Sequence, residues 1–150
     1  MSPELDQYLC KKYPKIFSER NKSPQESCMH WGLECGDGWF SILDTLCSSI
    51  QRRVDRQYSS QVVFGQVKEK VSALRIYSSG GDEYTDALIE FAEQLSMKTC
   101  EVCGRMDETV GRNKHGWIKT TCVQHSGDVS DFYFNNPETA SISSIKTPAV

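Results

Sequence analysis

The sequence predicts an α+β fold in one small single domain, with two main helices, a β-hairpin or small antiparallel sheet, and a C-terminal module stapled by two paired-ligand motifs. Three observations carry this. Ile42, Leu43, Leu46, Cys47, Ile50 and Val54 recur at helical spacing, as do Tyr84, Ala87, Leu88, Phe91, Ala92 and Leu95. Between residues 61 and 77, Val63, Gly65, Val67, Glu69 and Val71 alternate with Phe64, Gln66, Lys68 and Lys70, the period of two that marks a strand. Downstream, Cys100-Glu101-Val102-Cys103 and Cys122-Val123-Gln124-His125 repeat one spacing.

Each element follows from local chemistry. Tyr8, Leu9, Tyr13, Ile16 and Phe17 predict a short helix and an extended segment docked on the core, with Pro14 breaking any helix that runs from Leu5. Asn21-Lys22-Ser23-Pro24 reads as a turn. Glu34-Cys35-Gly36-Asp37-Gly38 is a sharp turn signal, and a helix is expected over about 38–56 with Asp37 as its N-cap. Arg52, Arg53 and Arg56 fall in that helix's last turns, where positive charge complements the helix dipole. Two strands follow, joined by a tight turn around Ser72-Ala73, and Ser78-Ser79-Gly80-Gly81 is a loop. Asp82 or Ser79 caps the second helix. The expected domain spans 1–125, with the metal-binding segment at 98–125. Residues 126–150 form a polar, partly flexible tail in which Phe132, Tyr133 and Phe134 are a docking cluster.

A chain of 150 residues suffices for one core, and its 38% hydrophobic and 25% charged residues are ordinary for a globular protein. No apolar run approaches the roughly 18 to 20 residues that cross a bilayer, and the N-terminal residues lack the pattern of a signal peptide. A cytoplasmic location is therefore expected, and its reducing chemistry makes the seven cysteines metal ligands or small buried groups. The net charge of -3 argues against general nucleic-acid binding. Between residues 51 and 75, however, Arg52, Arg53, Arg56, Lys68, Lys70 and Arg75 outnumber Asp55 and Glu69, so either an anion patch or solvated faces lie there.

The two pairs have a specific physical reading. A two-residue gap lets two side chains of one tight turn converge on an ion while backbone N–H groups face the thiolates. Two such turns complete a tetrahedron, so Cys100, Cys103, Cys122 and His125 are predicted to bind one structural zinc ion in a zinc-ribbon-like module. Gly104 suits the positive φ that closes the first turn, and Gly116–Thr121 supplies a strand delivering the second pair. Cys28, His30 and Cys35, with Cys10, either contribute to a second site or are separate structural residues. Walker-type, Gly-Xaa-Ser-Xaa-Gly and His-Glu-Xaa-Xaa-His motifs do not occur, and His30 and His115 stand alone.

The stretches Glu34–Phe40, Phe64–Lys70 with Leu74–Tyr77, and Thr99–Gly104 with Gly116–Cys122 resemble a family of short bacteriophage and prophage proteins, over about residues 13 to 125. The resemblance implies an accessory protein of an infected bacterium that acts by binding. The expected task is inhibition of an antiviral defence, anti-CRISPR activity among them, by occupying a host defence protein or sequestering an anionic nucleotide signal. Trp39, Lys68, Lys70, Arg75 and Tyr77 are the candidate partner-binding group, since cations pair phosphate and aromatic rings stack bases. The competing expectation is a DNA- or RNA-binding ribbon that uses Lys98, Arg105, Arg112, Lys114, Lys119 and Trp117 in phage replication or transcription control.

Overall fold

The computed structural model describes residues 1–127 and 132–134, and the remainder of the expected tail lies outside them. Helix α1 covers Pro3–Lys12, with proline at its first position, where no intrahelical N–H is required. Strand β1 (Leu33–Glu34) precedes helix α2 (Phe40–Asp55), and the hairpin β2 (Val63–Lys70) and β3 (Ala73–Ser79) leads to helix α3 (Glu83–Ser96). Short strands β4 (Val110–Asn113), β5 (Thr120–Cys122) and β6 (Phe132–Phe134) follow. The architecture is α+β, as the hydrophobic periodicities predict.

The described residues form two three-stranded sheets, ordered β1-β2-β3 and β5-β4-β6. The first is mixed rather than antiparallel, because β1 joins β2 in parallel, pairing Leu33 with Val67 and Glu34 with Lys68. Its core face packs with α2 and α3, which lie side by side around Trp39, Leu43, Ile50, Phe64 and Val67. Residues 13–22 form turns, not the expected extended segment, and still seat Ile16 and Phe17 in the core. The Phe64 amide donates to the Ile16 carbonyl at 2.9 Å, and the Phe17 and Phe64 rings meet edge to face.

Strict alternation along β2 fails at one point. The pairing runs Phe64 with Ser78 and then Gln66 with Tyr77, so Gly65 is an extra residue in a bulge. Phe64 and Val67, three apart, therefore both point into the core. The hairpin turn is Val71-Ser72, one residue earlier than expected, and both residues take positive φ, 52° and 64°. That is the geometry of the two-residue type I′ connection favoured by strand twist. Ser72 compensates by donating its amide to Glu69 Oε1 at 2.7 Å.

Capping divides between the helices. Asp82 caps α3 through a full capping box with Thr85, accepting the Thr85 amide at 3.0 Å. Asp37 does not cap α2. It opens a 3₁₀ turn, Asp37–Trp39, that leads into α2, and its Oδ1 accepts the Ser2 amide at 2.6 Å. The expected cap is lost because the 3₁₀ turn moves the helix start to Phe40 and leaves Asp37 facing the N-terminal segment.

Gly36 and Gly38 flank this turn because other backbone presses against it. A Cβ on Gly38 would collide with the Cys100 carbonyl and the Gly104 amide, and one on Gly36 with the Glu101 carbonyl. Gly38→Ala should therefore destabilise the fold by about 1–3 kcal/mol in urea unfolding. Gly65→Ala, whose Cβ would find nothing nearer than 3.7 Å, should stay within about 0.5 kcal/mol of wild type.

Candidate metal centre

Helix α3 runs almost directly into the site. Ser96 accepts the Thr99 amide, and the next residue, Cys100, begins a tight turn in which the Gly104 amide donates to the Cys100 carbonyl at 2.8 Å. Gly104 takes φ 77°, as the turn's closure requires. The second pair is delivered by β5, which is shorter than the expected Gly116–Thr121 strand, and by a 3₁₀ turn, Val123–His125. Opposite β5 runs β4, which matches Val110 with Cys122 and Arg112 with Thr120. Phe132 of β6 is buried on its other side, so part of the aromatic group extends this small sheet.

The ligand atoms of Cys100, Cys103, Cys122 and His125 all lie within 4.8 Å of one another. Cys122 Sγ is 3.2 Å and Cys100 Sγ 3.7 Å from His125 Nδ1, and Cys103 Sγ is 3.8 Å from Cys122 Sγ. A tetrahedral ion bound at about 2.3 Å by sulfur needs sulfur–sulfur edges of about 3.8 Å. The donor set therefore fits a metal ion. Burial works against ionising Cys100, yet the amides of Cys103, Cys122 and Val102 and the Cys103 thiol outweigh it and bring its pKa down to about 7. Burial, with the neighbouring Cys100 and Cys103 sulfurs, pushes Cys122 up to about 11. The Cys100 and Cys122 sulfurs oppose each other's ionisation, and a cation between them would relieve the repulsion.

The other cysteines offer no comparable environment. Burial, reinforced by Asp6, raises Cys10 to about 12, and burial raises Cys35 to about 12. His30 donates its Nδ1–H to the Lys22 carbonyl at 2.8 Å. Among the described residues, only the Cys100 group brings three or more metal-ligating side chains together.

The site is bound into the domain by polar contacts at two places, the Gly36–Trp39 turn and the hairpin tip. The Gly38 amide donates to the Glu101 carbonyl at 2.8 Å, and the Gly36 amide donates to Glu101 Oε1 at 2.9 Å. Trp39 Nε1 donates to the Thr99 carbonyl at 3.0 Å. At the hairpin tip, the Thr120 hydroxyl donates to the Ser72 carbonyl at 2.7 Å, and Trp117 Nε1 donates to Glu69 Oε2 at 2.9 Å. Glu101, unremarked in the sequence, is thus a bridging residue. Its position between two ligands was the available signal.

The candidate partner-binding residues divide. Lys68 pairs with Arg75 and Gln66 with Tyr77 across the hairpin, which puts these side chains on the sheet face away from Val67 and Ile76. Lys70 is exposed at the end of β2, and Lys68 Nζ lies 5.6 Å from the centre of the Tyr77 ring. Arg75 contacts Glu93 on α3 at 3.1 Å. Trp39 does not join this face, because its indole is completely buried in the core. Ring burial wins over stacking availability here. Of the ribbon cations, Arg105 faces Asp107 at 3.7 Å and Lys114 lies over the Tyr133 ring at 5.0 Å. Trp117 is 72% exposed.

Fold and site together define an α+β domain with an integrated Cys₃His centre. No family model matches this chain, and neither a curated protein nor a solved structure matches it significantly.

Cys100→Ser should eliminate metal binding and disorder the segment after Met97, because metal-binding energy is folding energy there. Amide exchange of residues 99–125 with metal analysis checks this. Cys10→Ser should leave both unchanged. Protons compete for thiolates and imidazole, so acidification should release the ion.

Proposed function

We propose that this chain is a binding protein held in shape by one structural zinc ion, and that it works by stoichiometric occupation of a partner. Zinc is the assignment because a set of three thiolates and one imidazole is characteristic of its tetrahedral structural sites. Four protein donors complete that coordination, which makes the ion a structural element. The surface is the exposed face carrying Lys68, Lys70, Arg75 and Tyr77, the observation that carries the reading. Its ring beside cations suits an anionic partner, either a nucleotide signal or an acidic protein surface. The motif resemblance supplies the setting: a phage-encoded accessory protein acting in the host bacterial cytoplasm against an antiviral defence system. Among the described residues no helix is long and apolar enough to cross a membrane.

A second reading is favoured by one feature. The exposed Trp117 sits in the segment between β4 and β5 with Lys119 exposed near it, an arrangement that can stack a base and pair its phosphate. Binding measured across salt separates the two, since a nucleic-acid interface loses affinity steeply as counterions are restored.

Elemental analysis should return about one zinc per chain. Inhibition should saturate near one equivalent of protein per target site, whereas a catalyst would act at a small fraction of target concentration. Lys68→Glu, Lys70→Glu and Arg75→Glu combined should weaken the partner by about tenfold without altering zinc content. Inhibition far below one equivalent would exclude the binding mode. An unaffected affinity would exclude this surface.

A further inference from the structure

A second surface lies between α2 and α3, the helices that precede and follow the hairpin in the chain. Ser41, Thr45 and Ser49 recur every four residues along α2, so they form one row of small side chains. On α3, Leu88, Phe91 and Leu95 form the facing row. Between the rows lies an apolar trough of about 310 Å³, floored by Ile42, Leu46 and Ala92. Phe91 stands on its rim with 66% of its surface exposed, and Met106 is also exposed there. An exposed phenylalanine and methionine beside an open apolar trough mark an interaction site more than a solvated face.

The trough continues into a second cavity through Ser49 and Leu88, which line both. That end is cationic: Arg52, Arg53 and Arg56 converge there with Tyr58 and Tyr84. Asp82 holds Arg53 with contacts of 2.5 to 3.3 Å, and the guanidinium lies 4.5 Å from the centre of the Tyr84 ring. Arg52 and Arg56 are exposed, and among the described residues neither side chain has an ion-pair partner. Nearby acids turn elsewhere. Asp55 accepts from Gln51 and lines a cleft with Lys12 and Lys15, while Asp86 lines the cleft beside Tyr77. Asp82 meets one of the three arginines, Arg53.

We propose that this groove is the docking site for an amphipathic helix of a protein partner, with apolar anchors at i, i+3 or i+4 and i+7 and acidic residues at one end. The row of small side chains on α2 leaves room for a third helix to lie along the pair. The apolar stretch and the adjoining cations would be complemented by a peptide whose charge is confined to one end. A nucleic acid would match the arginines and tyrosines but leave the apolar half of the groove uncovered. The inference rests on the binding-protein reading, and it names a surface separate from Lys68, Lys70 and Arg75.

The test is a yeast-displayed library of helical peptides about 15 residues long, sorted against the zinc-loaded full chain. Enrichment of peptides with apolar i, i+3/i+4, i+7 anchors followed by Glu or Asp is expected. Phe91→Ser should abolish their binding, and Arg52→Glu with Arg56→Glu should weaken it by about tenfold or more. Lys68→Glu should leave it unchanged. Phe91, Arg52 and Arg56 are exposed and Lys68 is half-buried on the outer sheet face, so zinc content and thermal midpoint should match wild type and confirm folding. Absence of enrichment, enrichment without acidic ends, or binders indifferent to Phe91→Ser would overturn the proposal. So would tighter binding of a mixed-sequence single-stranded oligonucleotide at the same residues, or a concentration-dependent dimer of this chain that Phe91→Ser dissociates. None of these outcomes depends on defence inhibition or on the sheet face, so failure here and failure of the earlier reading are distinguishable.

Discussion

The seating of the Gly36–Trp39 turn on residues 99–104 is the contact around which the molecule is organised. Two backbones meet there closely enough that neither Gly36 nor Gly38 tolerates a Cβ. Glu101 meets the turn twice, with its carbonyl on the Gly38 amide and its carboxylate on the Gly36 amide. Directly beyond, Trp39 fills the main core and reaches back to the Thr99 carbonyl. Helix α2 starts from this turn, and α3 ends at the other side of the same contact. The segment that carries the Cys/His cluster is consequently a wall of the domain.

Much of this was visible in the residues, for reasons that differ by element. α2 was legible because it buries one face, and burial imposes a period of 3.6. α3 was legible as a helix, but its buried face is Thr85, Ile89, Ala92 and Ser96, while Tyr84, Ala87 and Phe91 of the expected face are exposed. The donor set was legible because its chemistry demands particular side chains at fixed spacing. Asp37 followed the local capping rule in composition, yet the chain begins α2 three residues later and gives Asp37 to the Ser2 amide. Gly65 concealed a bulge that alternation alone cannot reveal. Strand β1 has two residues, and β4 reads Val-Gly-Arg-Asn, so neither carries a hydrophobic period. Trp39 was misplaced because an aromatic beside a glycine-rich turn has no local mark of which way it points. The two conspicuous motifs, Gly-Asp-Gly-Trp and Thr-Cys-Glu-Val-Cys-Gly, stand far apart in the chain, and their mutual contact is a tertiary fact.

The charges illustrate the same divide. A single basic stretch in sequence becomes two separate clusters, one at the end of α2 and one on the hairpin. Arg53 and Arg75 each take an acidic partner, Asp82 and Glu93, which anchors the two guanidinium groups in place. Exposed ion pairs of this kind contribute little to stability. Their effect is to fix where the remaining positive charge stands.

The position of Trp39 gives the molecule an intrinsic optical gauge. Trp31 and Trp117 are 65% and 72% exposed, so their emission reports water, whereas the Trp39 indole is sealed in the core and tethered to Thr99, the residue that precedes Cys100. Blue-shifted fluorescence from this chain would originate in that one ring. Loosening of the Cys100–Gly104 turn reaches it through a single hydrogen bond, making the colour of the emission a label-free readout of whether that wall of the domain is in place.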